Sequence, residues 1–185
     1  AIPELIYTGL GYPCRNRADD ASPRLESFGP YDWQYLDQNK LLENFNVMLE
    51  RGDPKPENVR PLEAWRAQGK KVMTASFVDW LKTRLESITT EAVFTEWSKY
   101  GFGVDGIYGT MMSEFGDGSW QVNDYPAMTE AVKRLSREPK FKNQLFYAFT
   151  YHTMVNGEHT KKFLRTVLDA GYRWADERYL EEQPT

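Results

Sequence analysis

The chain has a single cysteine, Cys14, so an intrachain disulfide is impossible and thiolate-rich zinc sites are excluded. Its only histidines are His152 and His159, which confines any imidazole-based site to that pair. Isoleucine occurs only at positions 2, 6, 88 and 107, and strand signals are poor. No run of about 18 apolar residues exists, so no segment is built to cross a membrane as a helix. Basic residues are not in excess: 23 Lys and Arg stand against 27 Asp and Glu, for a net charge of −4. A general nucleic-acid binder would carry a basic field, and that class is set aside. Internal repeats and low-complexity tracts are absent.

What is present is apolar periodicity and an unusual number of rings. Aromatics make up 15% of the 185 residues, enough either to build an aromatic core or to furnish a contact surface. Residues 1–31 hold Pro3, Pro13, Pro23 and Pro30 with Gly9, Gly11 and Gly29, a spacing that no helix survives. Tyr7, Tyr12 and Phe28 interrupt that stretch with apolar surface, and Arg15, Arg17 and Arg24 add charge. The reading is an extended Pro/Gly-rich N-terminal arm over 1–31, followed by a helical domain over 32–185.

Within 32–185 the spacings predict helices throughout. Leu42, Phe45 and Leu49 place one over 32–51, ended by Gly52, and Pro61 opens a short one that stops near Gly69. Phe77, Leu81, Leu85 and Ile88 predict a long helix over 76–99, with a break near Thr89. Tyr108, Met111, Met112 and Phe115 match the i, i+3, i+4, i+7 template, as do Met128, Ala131, Val132 and Leu135. Phe141 to His152 and 160–182 supply the last two helices. Leu5–Leu10, Lys71–Ala75 and Gln144–Tyr151 are the stretches that also fit strands. The fold class expected is all-α, an irregular helical bundle of about five to seven helices.

The sharpest local feature is glycine at 101, 103, 106, 109, 116 and 118. Gly101-Phe-Gly-Val-Asp-Gly106 matches a dinucleotide fingerprint, but that motif requires a preceding strand. A helix–turn–helix corner is the simpler reading, and no cofactor is expected. Asp105, Glu114, Asp117 and Asp124 lie in or beside these turns. Carboxylates of that kind serve as acid and base in a hydrolase, whereas Asp105 and Asp124 also suit helix caps and Asp117 a turn. A metal site from His152, His159 and Glu158 is conceivable on paper, but His152 sits on an apolar face, and no metal is expected. Cys14 lacks any local signature of an activated nucleophile. Met111, Met112 and Met128 with Phe115 and Trp120 suit core packing better than a pigment or lipid pocket. Lys133, Arg134, Arg137, Lys140 and Lys142 read as a solvated helix face.

Two resemblances bear on function. Lys71-Val-Met-Thr-Ala-Ser76, followed by Trp97-Ser-Lys-Tyr-Gly-Phe-Gly-Val-Asp-Gly-Ile107, resembles a strand and then the helix–strand step of a barrel glycosidase. It implies a carboxylate at the end of a strand on the catalytic face. In style rather than motif, an acidic helical chain with an irregular arm resembles the small extrinsic subunits of photosynthetic and respiratory complexes. Because the chain begins at Ala rather than Met, that resemblance implies removal of a targeting segment and an organellar compartment, the thylakoid lumen or mitochondrion.

The expectation drawn from the sequence is a non-catalytic accessory or scaffold subunit. Its partners are the protein subunits of a larger assembly, through which it reaches a membrane periphery, and it contacts them with Tyr7, Tyr12, Arg15, Arg17, Arg24 and Phe28. The alternative is a glycosidase-like carboxylate hydrolase using Asp105, Glu114 and Asp117 of the 101–118 segment.

Overall fold

The computed structural model describes residues 6–8, 38–40, 42–51, 56–117, 119–151 and 156–177. The chain divides into two units, Ala1–Val72 and Met73–Thr185. In the first, β1 (Ile6–Thr8) pairs in parallel with β2 (Val47–Arg51), with Tyr7 opposite Met48. Helix α1 (Pro56–Ala67) follows, starting earlier than the expected Pro61. It buries Leu62 and Trp65, and the Trp65 indole N–H donates to the Lys71 carbonyl at 2.8 Å. Lys70 lies 4.2 Å from the Trp65 ring centroid and donates to the Leu42 carbonyl.

The second unit is a parallel sheet with helical crossovers. Strand β3 (Lys71–Phe77), which begins in the last residues of the first unit, leads to α2 (Asp79–Arg84) and α3 (Thr90–Tyr100). Strand β4 (Gly109–Phe115), α4 (Ser119–Arg137), β5 (Leu145–Tyr151), α5 (Glu158–Asp169) and β6 (Arg173–Glu177) complete it. Each strand lies beside its successor: β3 pairs with β4, β4 with β5 and β5 with β6, all parallel. Right-handed crossovers between such neighbours place the helices on one face. The core agrees, joining Trp97 of α3, Met128 and Leu135 of α4, and Phe163 and Val167 of α5 to Met112, Phe115, Phe146 and Ala148 of the sheet. It is heavily aromatic, with Phe115 4.6 Å from Phe163 and Trp97 5.0 Å from Phe146 between ring centroids.

The all-α expectation is therefore corrected: the chain is α/β. A first physical source of the error is the burial of the strands. A parallel strand covered on both faces is apolar nearly throughout and does not alternate. Met111 and Met112 are both buried, as are Phe146, Tyr147 and Ala148. Runs of that kind satisfy a helical template as readily as a strand. The expected helices at 108–115 and 141–152 are thus β4 and β5, and the end of the 32–51 helix is β2. The 76–99 helix starts only after β3 and is interrupted, with Thr89 capping α3 by accepting from the Ala92 N–H at 3.2 Å. The 160–182 helix stops at Asp169, where Gly171 at φ +79° turns the chain into β6. Of the expected arm, only Ile6–Thr8 falls among the described residues.

Candidate functional site

In parallel α/β sheets, ligands are met where the strands end and the helices begin. That edge of the second unit carries Phe77, Ser113 to Asp117, Thr150 and Tyr151, and Asp176 and Glu177. Asp105 lies at the opposite edge. It is exposed in the turn before β4, a strand's length of about 20 Å from Glu114. The glycine fingerprint lies there too, between a helix and the following strand, the reverse of the order that a dinucleotide motif needs. The expected helix–turn–helix corner is a helix–turn–strand corner. Gly109 is required in it: a Cβ there would stand 2.1 Å from the Leu145 carbonyl oxygen.

The exit of β4 is irregular in a specific way. Met112 pairs with Ala148 and Phe115 with Thr150, so β4 holds one residue more than β5 across this step. The extra residue makes a bulge at Ser113–Glu114. Glu114 has φ +75°, a left-handed conformation that costs a residue with a Cβ about 1–2 kcal/mol. Such strain persists only where surrounding structure imposes it. Here Gln121 bridges the strained step. Its side-chain N–H donates to the Glu114 carbonyl at 2.9 Å, and its amide oxygen accepts from the Gly116 N–H at 2.7 Å. The Tyr125 hydroxyl donates to the Gly116 carbonyl at 2.8 Å and stands 3.2 Å from the Gln121 amide oxygen. Both side chains are buried. Burial pushes the Tyr125 phenol up to about 12, which keeps it a hydrogen-bond donor at ordinary pH. Glu114 itself is half-buried and stands at the strand-end edge.

Asp117, three residues on, is engaged differently. Its carboxylate accepts from the backbone N–H groups of Asn156 at 2.8 Å and Gly157 at 2.7 Å, and from the Thr160 hydroxyl. It thereby holds the start of α5 against the exit of β4. Burial opposes its charge, but the hydrogen bonds from Thr160, Gly157 and Asn156, with Lys161 nearby, hold the carboxyl below its ordinary range. A Cβ at Gly157 would approach the Asp117 carboxylate to 2.6 Å, so glycine is needed there as well.

The end of β6 adds carboxylates that fall inside the helix expected over 160–182. Thr150 and Asp176 stand in register, 3.5 Å apart at their side-chain oxygens, and the Trp174 indole donates to the Thr150 hydroxyl at 2.8 Å. Glu177 pairs with Tyr151. Two interstrand steps of about 4.8 Å separate β4 from β6, so their backbones stand about 10 Å apart at this level. On the β3 side, Phe77 and the exposed Trp80 form a tilted ring pair at 5.2 Å. A recess of about 510 Å³ lies between the segment joining α2 to α3 and the second turn of α4. Lys82, Glu86, Ser87, Asn123 and Asp124 give it a polar lining, with Leu85 and Ile88 beside them. Burial pushes the Asp124 carboxyl up, and Lys82 opposes the shift.

The other expected residues scatter. Tyr7 is central in β1, while Tyr12, Arg15, Arg17, Arg24, Phe28, Cys14 and His152 lie outside the described residues. Met112 and Met128 belong to the helix-side core, whereas Met111 is not part of that cluster. Lys133 pairs with Glu130 at 2.6 Å, and Arg134 pairs with Glu91 while covering the Phe94 ring. Among the described residues, no three His, Cys, Asp or Glu are grouped to hold a metal ion, and no helix is long and apolar enough to cross a membrane.

Set against known proteins, the chain matches no family model, no curated protein and no solved structure. The functional reading accordingly rests on the geometry of the β4 exit.

Proposed function

We propose that the chain carries the βα core of a carboxylate-dependent hydrolase of the barrel-glycosidase kind, with Glu114 as one of the two reacting carboxylates. The observation that carries this reading is the left-handed backbone of Glu114 at the C-terminal end of a parallel strand. A bulge at that position spends stability to aim one side chain, and bulges of this sort are common beside active sites. The second carboxylate comes from the end of β6, Asp176 or Glu177. Glycoside hydrolysis needs carboxyl groups about 5–9.5 Å apart, and side chains on backbones about 10 Å apart reach that range. In that chemistry one carboxyl protonates the leaving oxygen while the other attacks the sugar carbon or activates water.

The resemblance quoted above is met only in part. Its strand over Lys71–Ser76 falls on β3, whereas the Trp97–Ile107 step ends in the turn before β4, which puts Asp105 at the edge opposite the strand ends. Phe77, Trp80 and the polar recess lie on segments that follow the ends of β3 and β4, and offer ring faces and hydrogen-bonding groups suited to a polyhydroxylated substrate. The accessory-subunit reading leaned on Tyr7, Tyr12, Arg15, Arg17, Arg24 and Phe28, of which only Tyr7 lies among the described residues.

The test is hydrolysis of a panel of nitrophenyl glycosides and release of reducing ends from polysaccharides by the purified chain. Glu114→Gln should lower the rate on any substrate found by about 10²–10⁴-fold, the range for a lost acid–base group. Asp176→Asn and Glu177→Gln, made separately, identify the partner. Hydrolysis that survives Glu114→Gln unchanged refutes the assignment. An inert chain that purifies only within a larger assembly favours the subunit reading.

A further inference from the structure

We infer that Gln121 is a positioning residue that fixes the place of the Glu114 carboxylate through the β4 bulge; this rests on the reading of Glu114 just proposed. One side chain grips the strand on both sides of Phe115. It donates to the carbonyl of Glu114 and accepts from the N–H of Gly116. If the strand relaxed to ordinary extended geometry, the Glu114 peptide would rotate away, and an amide that is only 5% exposed would lose a partner. Phe115, between the two gripped residues, is fully buried and packed 4.6 Å from Phe163, so the strand cannot slide to escape. The amide is itself oriented. Tyr125 places its hydroxyl on the Gly116 carbonyl and beside the Gln121 oxygen, which fixes which end of the amide donates and which accepts. Gln121 lies in the first turns of α4, so it brings the rigidity of a 19-residue helix to one backbone angle of β4.

The same arrangement predicts which replacements matter. Gln121→Glu keeps an oxygen for the Gly116 N–H but sets a second oxygen against the Glu114 carbonyl. Gln121→Leu removes both bonds at similar size. Tyr125→Phe keeps the grip and loosens only its orientation. The graded series separates positioning from general damage to the fold.

The experiment uses the full chain labelled with ¹³Cδ-glutamate, with the Glu114 carboxyl resonance assigned by its loss in Glu114→Gln. In Gln121→Leu and Gln121→Glu that resonance should move away from its wild-type position. In Tyr125→Phe it should move less, and the other glutamate resonances should stay in place. On a nitrophenyl glycoside that the wild type hydrolyses, kcat should fall about 10–100-fold in Gln121→Leu at near-constant KM. Folded Gln121 variants whose Glu114 resonance stays at its wild-type position overturn the inference. If Gln121→Leu does not fold, Gln121→Glu and Tyr125→Phe decide by the same readout. A wild-type chain inert on every glycoside defeats the proposed function but leaves the carboxyl resonance position to decide this inference alone.

Discussion

Replacing Glu114 by glycine and, separately, by alanine should invert the order of stability that those two residues show in an ordinary strand. At a regular position alanine wins, because glycine loses more backbone freedom on folding, by about 0.5–1 kcal/mol. At φ +75° the balance changes. Alanine keeps the Cβ that clashes in the left-handed region, a cost of about 1–2 kcal/mol, and glycine does not. Subtracting glycine's entropic handicap leaves Glu114→Gly more stable than Glu114→Ala by up to about 1.5 kcal/mol, with about 0.75 kcal/mol between the midpoints of the two ranges. Both variants lack the carboxylate, so any contact that it makes cancels from the comparison. Urea unfolding followed by tryptophan fluorescence measures the difference directly, and an internal control is adjacent. Ser113 lies in the same strand without a positive φ, so Ser113→Ala should be more stable than Ser113→Gly. If Glu114→Ala equals or exceeds Glu114→Gly, the bulge does not hold Glu114 in a left-handed conformation. The reasoning that makes it a functional residue then fails.

Asp117 should matter to stability rather than to chemistry. Its carboxyl is held below its ordinary value of 3.8, so its contribution is fully present above that pH and is lost as the pH falls through the lower, folded-state value. Asp117→Asn should cost about 1–3 kcal/mol at neutral pH and flatten the acid limb of the stability curve, read by urea midpoints from pH 7 to pH 2. Gly109→Ala should prevent accumulation of folded protein, since its Cβ would overlap the Leu145 carbonyl; a soluble variant with wild-type circular dichroism contradicts the β4–β5 geometry.

The helices that survive comparison with the structure are those with one buried stripe. Met128, Ala131, Val132 and Leu135 are all fully buried on α4, as their spacing predicts, and Phe163, Leu164 and Val167 are buried on α5. The 108–115 segment misleads for a reason particular to it. The bulge makes the step from Met112 to Phe115 three residues long while both join the same core, so a kinked strand imitates an i, i+3 helical pair. At the β6 end, Trp174 and Ala175 extend a helical pattern that Gly171 has already ended. The site is partly legible. Glu114 stands out as a carboxylate among glycines, but Asp117 reads as a turn residue because its partners lie about 40 positions away. Gln121 carries no signal, since an amide bridging two backbone groups leaves no spacing rule in the sequence. Asp176 and Glu177 are hidden by the helix wrongly drawn through them.

The neighbour-by-neighbour order of β3 to β6 also bears on how the chain is made. β4, β5 and β6 each find a partner immediately upstream, already synthesised, and no later segment has to be inserted between β3, β4, β5 and β6. A sheet that must receive a strand in its middle stays open until that strand emerges. This one can close each step as it leaves the ribosome, with only the newest edge unpaired at any moment. Parallel pairing is ordinarily slow because its partners are distant along the chain. Here each delay spans one crossover, and the apolar surface exposed while waiting is limited to a single strand and helix.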